Sequence, residues 1–206
     1  MTNNIAKYFS ELSESQIEKI DKLYALYESW NSKINVISRK DFENFYVNHV
    51  LHSMSILKFF RFAEGTRFLD VGTGGGFPGI PMAISLPQCK FVLSDSIGKK
   101  MKVVEDVVEQ LKLNNVKCIT GRSEHIRGEF DFVTGRAIVA LPDFVKLCRN
   151  KISKKQINAF PNGILYLKGG DFEEEIKLLN MKCELYNLGE HFTEEFFETK
   201  KLVYLY

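Results

Sequence analysis

Cysteine is sparse and scattered in this chain of 206 residues. Cys89, Cys118, Cys148 and Cys183 lie about thirty residues apart with no C-x-x-C among them, so neither a zinc site nor a disulfide framework is indicated. No run of eighteen apolar residues exists, which excludes a membrane-spanning helix on length. Met1 to Ser10 lacks a basic segment followed by an apolar one, so no secretory signal is expected and a reducing cytoplasm fits. No P-loop, G-x-S-x-G or H-E-x-x-H segment is present. Neither sign of charge dominates, with 28 basic and 26 acidic side chains. The balance is uneven along the chain, however. Residues 61–170 hold 17 basic and 10 acidic groups, a net of +7, and residues 171–206 hold 4 and 9, a net of −5. The middle of the chain can therefore present a phosphate-attracting face.

What is present in abundance is glycine, at one place. Arg67-Phe-Leu-Asp-Val-Gly-Thr-Gly-Gly-Gly-Phe-Pro-Gly79 runs from an apolar strand through a dense glycine turn. It leads into an apolar helix from Ile80 to Leu86, with Pro78 and Pro81 tolerated in the first turn. Strand, glycine turn and helix form the nucleotide-binding corner of a doubly wound α/β fold. A dinucleotide fingerprint would need glycine at position 77, which is Phe77, and this argues against a nicotinamide or flavin oxidoreductase. Asp70, two residues before Gly72, suits a ligand with a cationic amino group better than a pyrophosphate. The pattern Asp70-x-Gly72-x-Gly74-x-Gly76 resembles the first motif of S-adenosylmethionine-dependent methyltransferases.

The rest of the chain is read around that corner. Ser13-Glu-Ser-Gln16 has capping-box form, and Ile17, Ile20, Tyr24, Tyr27 and Ile34 follow at helical spacing, with Leu23, Leu26 and Trp30 widening the stripe. A second helix is expected from Asp41, its N-cap, to Phe60. His49 and His52 lie three apart on it and read as a packing or polar pair, since no further metal ligands stand at suitable spacing. After the glycine corner, strands are expected over Lys90–Asp95, Asn115–Thr120, Phe130–Thr134, Gly163–Lys168, Lys182–Leu188 and Lys201–Tyr206. Helices are expected over Gly98–Leu113, Leu141–Cys148 and Phe172–Leu179. Lys151–Pro161 and Gly189–Glu198 read as surface connections. This alternation implies a Rossmann-like, mostly parallel seven-stranded sheet with helices on both faces. Residues 1–60 form an N-terminal helical cap and residues 61–206 the ligand-binding domain.

Ligands in such sheets bind at the carboxyl ends of strands. The candidate residues are therefore the glycine turn, with Gly72, Gly74 and Phe77, and Asp95, whose carboxylate can accept from ribose hydroxyls. Ser123 and Glu124 follow the third strand, where the methyltransferases that the glycine motif resembles place groups around the adenine ring. Arg136 can pair with a carboxylate or a phosphate. Lys168 precedes Gly169-Gly170. Arg39, Lys40, Lys99, Lys100 and Lys168 are the expected RNA contacts, and Arg136 and Lys168 the expected positioning groups. No Asn/Asp-Pro-Pro-aromatic segment and no strand-end Pro-Cys occur, which leaves acceptors that are already nucleophilic.

Several segments together resemble the glucose-inhibited division protein B family. They are Trp30–Asn35, His49–Ser53, Leu69–Pro81, Ser94–Lys100, Gly121–Glu124, Thr134–Ala137 and Leu167–Gly169. The resemblance implies a class I methyltransferase fold and an enzyme that transfers methyl from S-adenosylmethionine to N7 of a guanine in 16S ribosomal RNA. It implies cofactor contacts at Gly72, Phe77, Ser123, Glu124 and Arg136, with the small ribosomal subunit as partner. No metal, no membrane and a monomer in the cytoplasm are expected. Relatives usually carry alanine where Ser123 stands and aspartate where His52 stands. A non-catalytic RNA-binding module on the same fold is the alternative.

Overall fold

Alternating apolar runs build one sheet whose two faces are both buried. The computed structural model describes residues 3–206, apart from the side chains of residues 3, 4, 39 and 40. The strands are β1 (Arg67–Val71), β2 (Lys90–Asp95), β3 (Val116–Thr120), β4 (Phe132–Arg136), β5 (Gly163–Gly169), β6 (Cys183–Asn187) and β7 (Lys200–Leu205). Their order is β3-β2-β1-β4-β5-β7-β6. Strands β1 to β5 are parallel, and β7 runs antiparallel between β5 and β6. Side chains alternate between two cores, as a pleat with period two requires. Phe68, Phe132, Leu165 and Leu167 face one core, and Leu69, Val133, Ile164 and Tyr166 face the other.

The first core is covered by α5 (Gly79–Ser85), α6 (Gly98–Gln110) and the N-terminal helices. The second is covered by α7 (Leu141–Cys148), through Leu141, Phe144 and Cys148, and by Ile176 of α8 (Glu173–Lys177). The chain leaves β1 for β2 on one side and reaches β4 on the other. That reversal of strand order opens a crevice at the carboxyl ends of β1 and β4.

The N-terminal helices lock onto this sheet by named contacts. Helix α2 (Glu14–Asn31) starts in the capping box of Ser13 and Gln16 and buries Ile20, Leu23 and Tyr27. The Gln16 amide also donates to the Ile84 and Ser85 carbonyls, satisfying free acceptors at the end of α5. Trp30 Nε1 donates to Asp106 of α6 at 2.6 Å. Ile34 lies past the end of α2 rather than on its stripe.

The expected second helix is corrected. Ser38, not Asp41, caps a short α3 (Arg39–Phe42), its hydroxyl accepting from the Asp41 N–H. A π-helical turn (Tyr46–Leu51), α4 (His52–Met54) and a 3-10 turn (Ser55–Lys58) follow. A helix α1 (Asn3–Tyr8), absent from the sequence-based expectation, seats Ile5 in the core. Gly189–Glu198 is not a plain surface connection, because it buries Phe192, between its two 3-10 turns, and Phe197, in the second. His52 is buried with its ring 5.2 Å from that of Phe196, and burial holds it neutral, well below the usual histidine range.

Candidate cofactor cleft

The crevice is a cleft of about 600 Å³. The glycine turn forms its floor, Asp95 to Ile97 and Gly121 to Glu124 one wall, and Arg136 to Ile138 the other. Val36 and Ile37, from the loop after α2, also line it. That loop is held by one side chain. Asn31 Oδ1 accepts from the Val36 and Ile37 N–H groups at 2.9 and 3.0 Å, and its amide donates to the Ile37 carbonyl at 2.8 Å.

The glycines divide their work. Gly74 has a φ of +58°, and a Cβ there would meet nothing nearer than 4.0 Å, so this backbone is open to a ligand. Gly75 instead lets the cap approach, since a Cβ would lie 2.6 Å from Val36 Cγ1. The Tyr27 hydroxyl donates to the Gly75 carbonyl at 2.5 Å, which ties α2 to the turn.

Asp70 lies fully buried beneath the turn. Its Oδ2 accepts from the Thr73 hydroxyl at 2.5 Å and the Gly79 N–H at 3.0 Å, and its Oδ1 from Thr134 at 3.0 Å. One carboxylate thereby joins β1, β4, the turn and the start of α5. Burial pushes its pKa up to about 6, against the three hydrogen bonds that favour the charge.

The expected cofactor residues Gly72, Gly74, Phe77, Asp95, Ser123, Glu124 and Arg136 all line the cleft. Asp95 is nearly buried, and its oxygens accept from the Gly74 N–H at 2.9 Å and the Ile97 N–H at 2.8 Å. Each oxygen keeps a free lone pair for a diol. The Ser123 hydroxyl donates to Glu124 at 3.3 Å. Glu124 is exposed, and its own backbone N–H, with lesser help from Ser123, Arg122 and His125, holds its carboxyl below the usual range.

Arg136 is partly buried, with its guanidinium 5.3 Å from the Phe77 ring centre. It donates to the Asn48 carbonyl at 2.9 Å and, through Nη2, to His49 Nδ1 at 2.8 Å. Burial lowers its pKa to about 10, with Asp70 the largest opposing influence, so it stays charged near neutrality.

The sequence did not assign His49 to the cleft, yet His49 lines it. Burial, aided by the Arg136 charge, drops its pKa to about 3, and the ring is neutral. Lys168 stands apart from the other expected residues. Both Glu175 carboxylate oxygens accept from its ammonium at 2.8 Å, and it is not part of the cleft wall. Lys100 lines the cleft, and Lys99 beside it is exposed. Arg39 and Lys40 lie outside the described side chains.

Comparison with known proteins agrees with this geometry. A solved precorrin-6y C5,15-methyltransferase from Geobacter metallireducens superposes with a TM-score of 0.57 at 10% identity, covering 76% of this chain and 87% of that one. Fibrillarin from Aeropyrum pernix superposes with a TM-score of 0.54 at 17% identity, covering 76% and 74%. Identities this low establish the shared class I methyltransferase fold alone. Curated relatives are far nearer. The Ribosomal RNA small subunit methyltransferase G of Flavobacterium johnsoniae is 53% identical over 203 residues, covering 98% of this chain and 97% of its own length. That of Bacteroides fragilis is 51% identical over 201 residues, covering 98% of each. Residues 16–203 match the family described as rRNA small subunit methyltransferase G, and with that match and those identities the chain belongs to it.

Proposed function

We propose that this protein transfers a methyl group from S-adenosylmethionine to N7 of a guanine in 16S ribosomal RNA. The supporting observation is the make-up of the cleft: an open glycine turn over a buried carboxylate, with carboxylates but no free imidazole or thiol among the described residues that line it. His49 is neutral and already engaged through Nδ1, and no cysteine lines the cleft among the described residues. S-adenosylmethionine supplies a methyl group on a sulfonium, so the acceptor needs only a lone pair. The N7 lone pair of guanine lies in the ring plane, unprotonated near neutral pH, and no proton has to leave before attack.

The residues present fit that cofactor. Gly74 gives backbone access, Asp95 offers acceptors to a ribose, and Ser123 and Glu124 stand where an adenine would lie. Asp70 and Glu124 place negative charge near a site that must hold a cation. The chain's task is to align acceptor and donor and to exclude water, with Val36 and Ile37 as the cover. Lys99 and Lys100 would meet RNA phosphates at the rim. Lys168, locked to Glu175, would act by holding the β5–α8 corner and not as a direct contact.

Two measurements test this. RNA carrying 7-deazaguanine at the target position should bind nearly as well as the natural RNA and accept no methyl group. Methylation of that analogue would show that N7 is not the acceptor. Asp95→Ala should weaken S-adenosylmethionine binding by about 1.5–3 kcal/mol, the range for a hydrogen bond involving a charge. Unchanged affinity in a folded Asp95→Ala protein, measured by calorimetry, would remove Asp95 from the cofactor site.

A further inference from the structure

Arg136 carries a charge without a local partner. It takes part in none of the ion pairs among the described residues. Its acceptors, the Asn48 carbonyl and His49 Nδ1, are both neutral. Buried cations are ordinarily matched by an anion, so a guanidinium held by two neutral groups at a cleft wall keeps its charge for a ligand. Asp70, the acid that raises its pKa most, is already occupied by Thr73, Thr134 and Gly79.

The holder is itself unusual. An arginine always donates, so the imidazole must accept at Nδ1 and carry its proton on Nε2. That Nε2 is buried and has no partner. An apolar side chain would fill the same space without an orphaned donor. His49 also sits in the π-helical turn Tyr46–Leu51, a local departure from α geometry often found at functional sites. The same turn presents the Asn48 carbonyl to Arg136.

We infer that His49 and Asn48 form a charge-neutral cradle that aims Arg136 at the carboxylate of the cofactor's methionine end. His49 is a positioning residue here, acting through Arg136. The inference rests on the proposed use of S-adenosylmethionine, whose carboxylate is its sole anionic group. Asp95, Ser123 and Glu124 are the ribose and adenine candidates, which leaves the Arg136 end of the cleft for the amino-acid part.

The test compares S-adenosylmethionine with its decarboxylated analogue by calorimetry, using the full chain. Wild type should prefer the carboxylated form by about 10-fold or more, as expected for a charge-assisted contact. His49→Asp would supply an anionic acceptor to Arg136 and neutralise it. It should weaken S-adenosylmethionine by about 10-fold and leave the decarboxylated analogue nearly unchanged. His49→Asn keeps a neutral acceptor at the position of Nδ1 and should restore most of the preference.

Equal binding of the two compounds by wild type would overturn the inference while leaving the cofactor itself established. No binding of either would instead overturn the cofactor reading. Parallel losses for both compounds in His49→Asp, or an unaltered preference in that variant, would reduce His49 to a packing role. If His49→Asp fails to fold, the preference ratios of wild type and His49→Asn decide, because each ratio is taken on one preparation.

Discussion

Replacing Arg136 by alanine is expected to lower kcat/KM for methyl transfer by at least about 100-fold while the protein stays folded. The guanidinium meets three different groups, the Asn48 carbonyl, His49 Nδ1 and the Phe77 ring, and it lines the cleft. A hydrogen bond from a charged group to a ligand contributes about 1.5–3 kcal/mol, and loss of the positioning of Phe77 and His49 adds to it. Folding suffers less, because burial already disfavours this charge, as its lowered pKa of about 10 records. Removing it therefore relieves a desolvation penalty as well as breaking contacts. Arg136→Lys should fail almost as badly. A single ammonium cannot reach the Asn48 carbonyl and His49 Nδ1 with the planar fork that spans them. Calorimetry with S-adenosylmethionine, steady-state kinetics and a thermal melt together check the expectation. An Arg136→Lys enzyme with wild-type kinetics would show that only charge at this position matters.

The contrast between Arg136 and Lys168 shows what a sequence carries and what it does not. Arg136 ends β4 and Lys168 is next to last in β5, and strand ends are legible from apolar runs followed by polar residues. Arg136 reaches the cleft, whereas Lys168 is captured by Glu175, which returns to it from a helix seven residues later. Nothing local to Lys168 announces that capture. His49 was invisible for the converse reason. Its partner lies 87 residues away, and no helical period distinguishes a cleft-facing imidazole from a core one.

The π-helical turn escaped for a related cause. Aromatic and aliphatic residues at 45, 50, 51 and 54 satisfy an ordinary helical stripe, whereas the packing of Phe45 and His49 against Phe77 joins residues far apart in the chain. The legible parts were those with short-range chemistry. The Ser13–Gln16 box, the glycine corner and Asp95 each declare themselves within a few residues. Asn31 belongs to a segment singled out by resemblance. Its three hydrogen bonds to Val36 and Ile37 supply the physical reason.

Asp70→Asn is expected to stabilise the fold at pH 7 relative to wild type, and to lose that advantage in acid. In the unfolded chain this carboxyl ionises near its ordinary value of 3.8, and in the fold burial raises it to about 6. A raised folded pKa means that the native state binds the proton more tightly. Its stabilising contribution is therefore fully present below pH 3.8 and is lost as pH rises through 6. The difference between the two pKa values corresponds to about 3 kcal/mol.

The neutral form is accommodated without rearrangement. A protonated Oδ1 can donate to the Thr134 hydroxyl, while Oδ2 still accepts from Gly79 and Thr73. Asparagine reproduces that pattern with its amide on the Thr134 side. Other groups titrate in the same interval, and His49, with its lowered pKa, pushes stability the opposite way, upward as pH rises. The informative quantity is thus the difference between variant and wild type. Urea unfolding at pH 4 and pH 7 should show that difference shifting toward Asp70→Asn by roughly 2 kcal/mol, most of the full span. A difference independent of pH would mean that Asp70 ionises normally in the fold. The same variant should bind S-adenosylmethionine more weakly at pH 7. It keeps every hydrogen bond under the glycine turn and removes only the negative charge, so a loss of affinity would assign that charge to holding the cationic ligand.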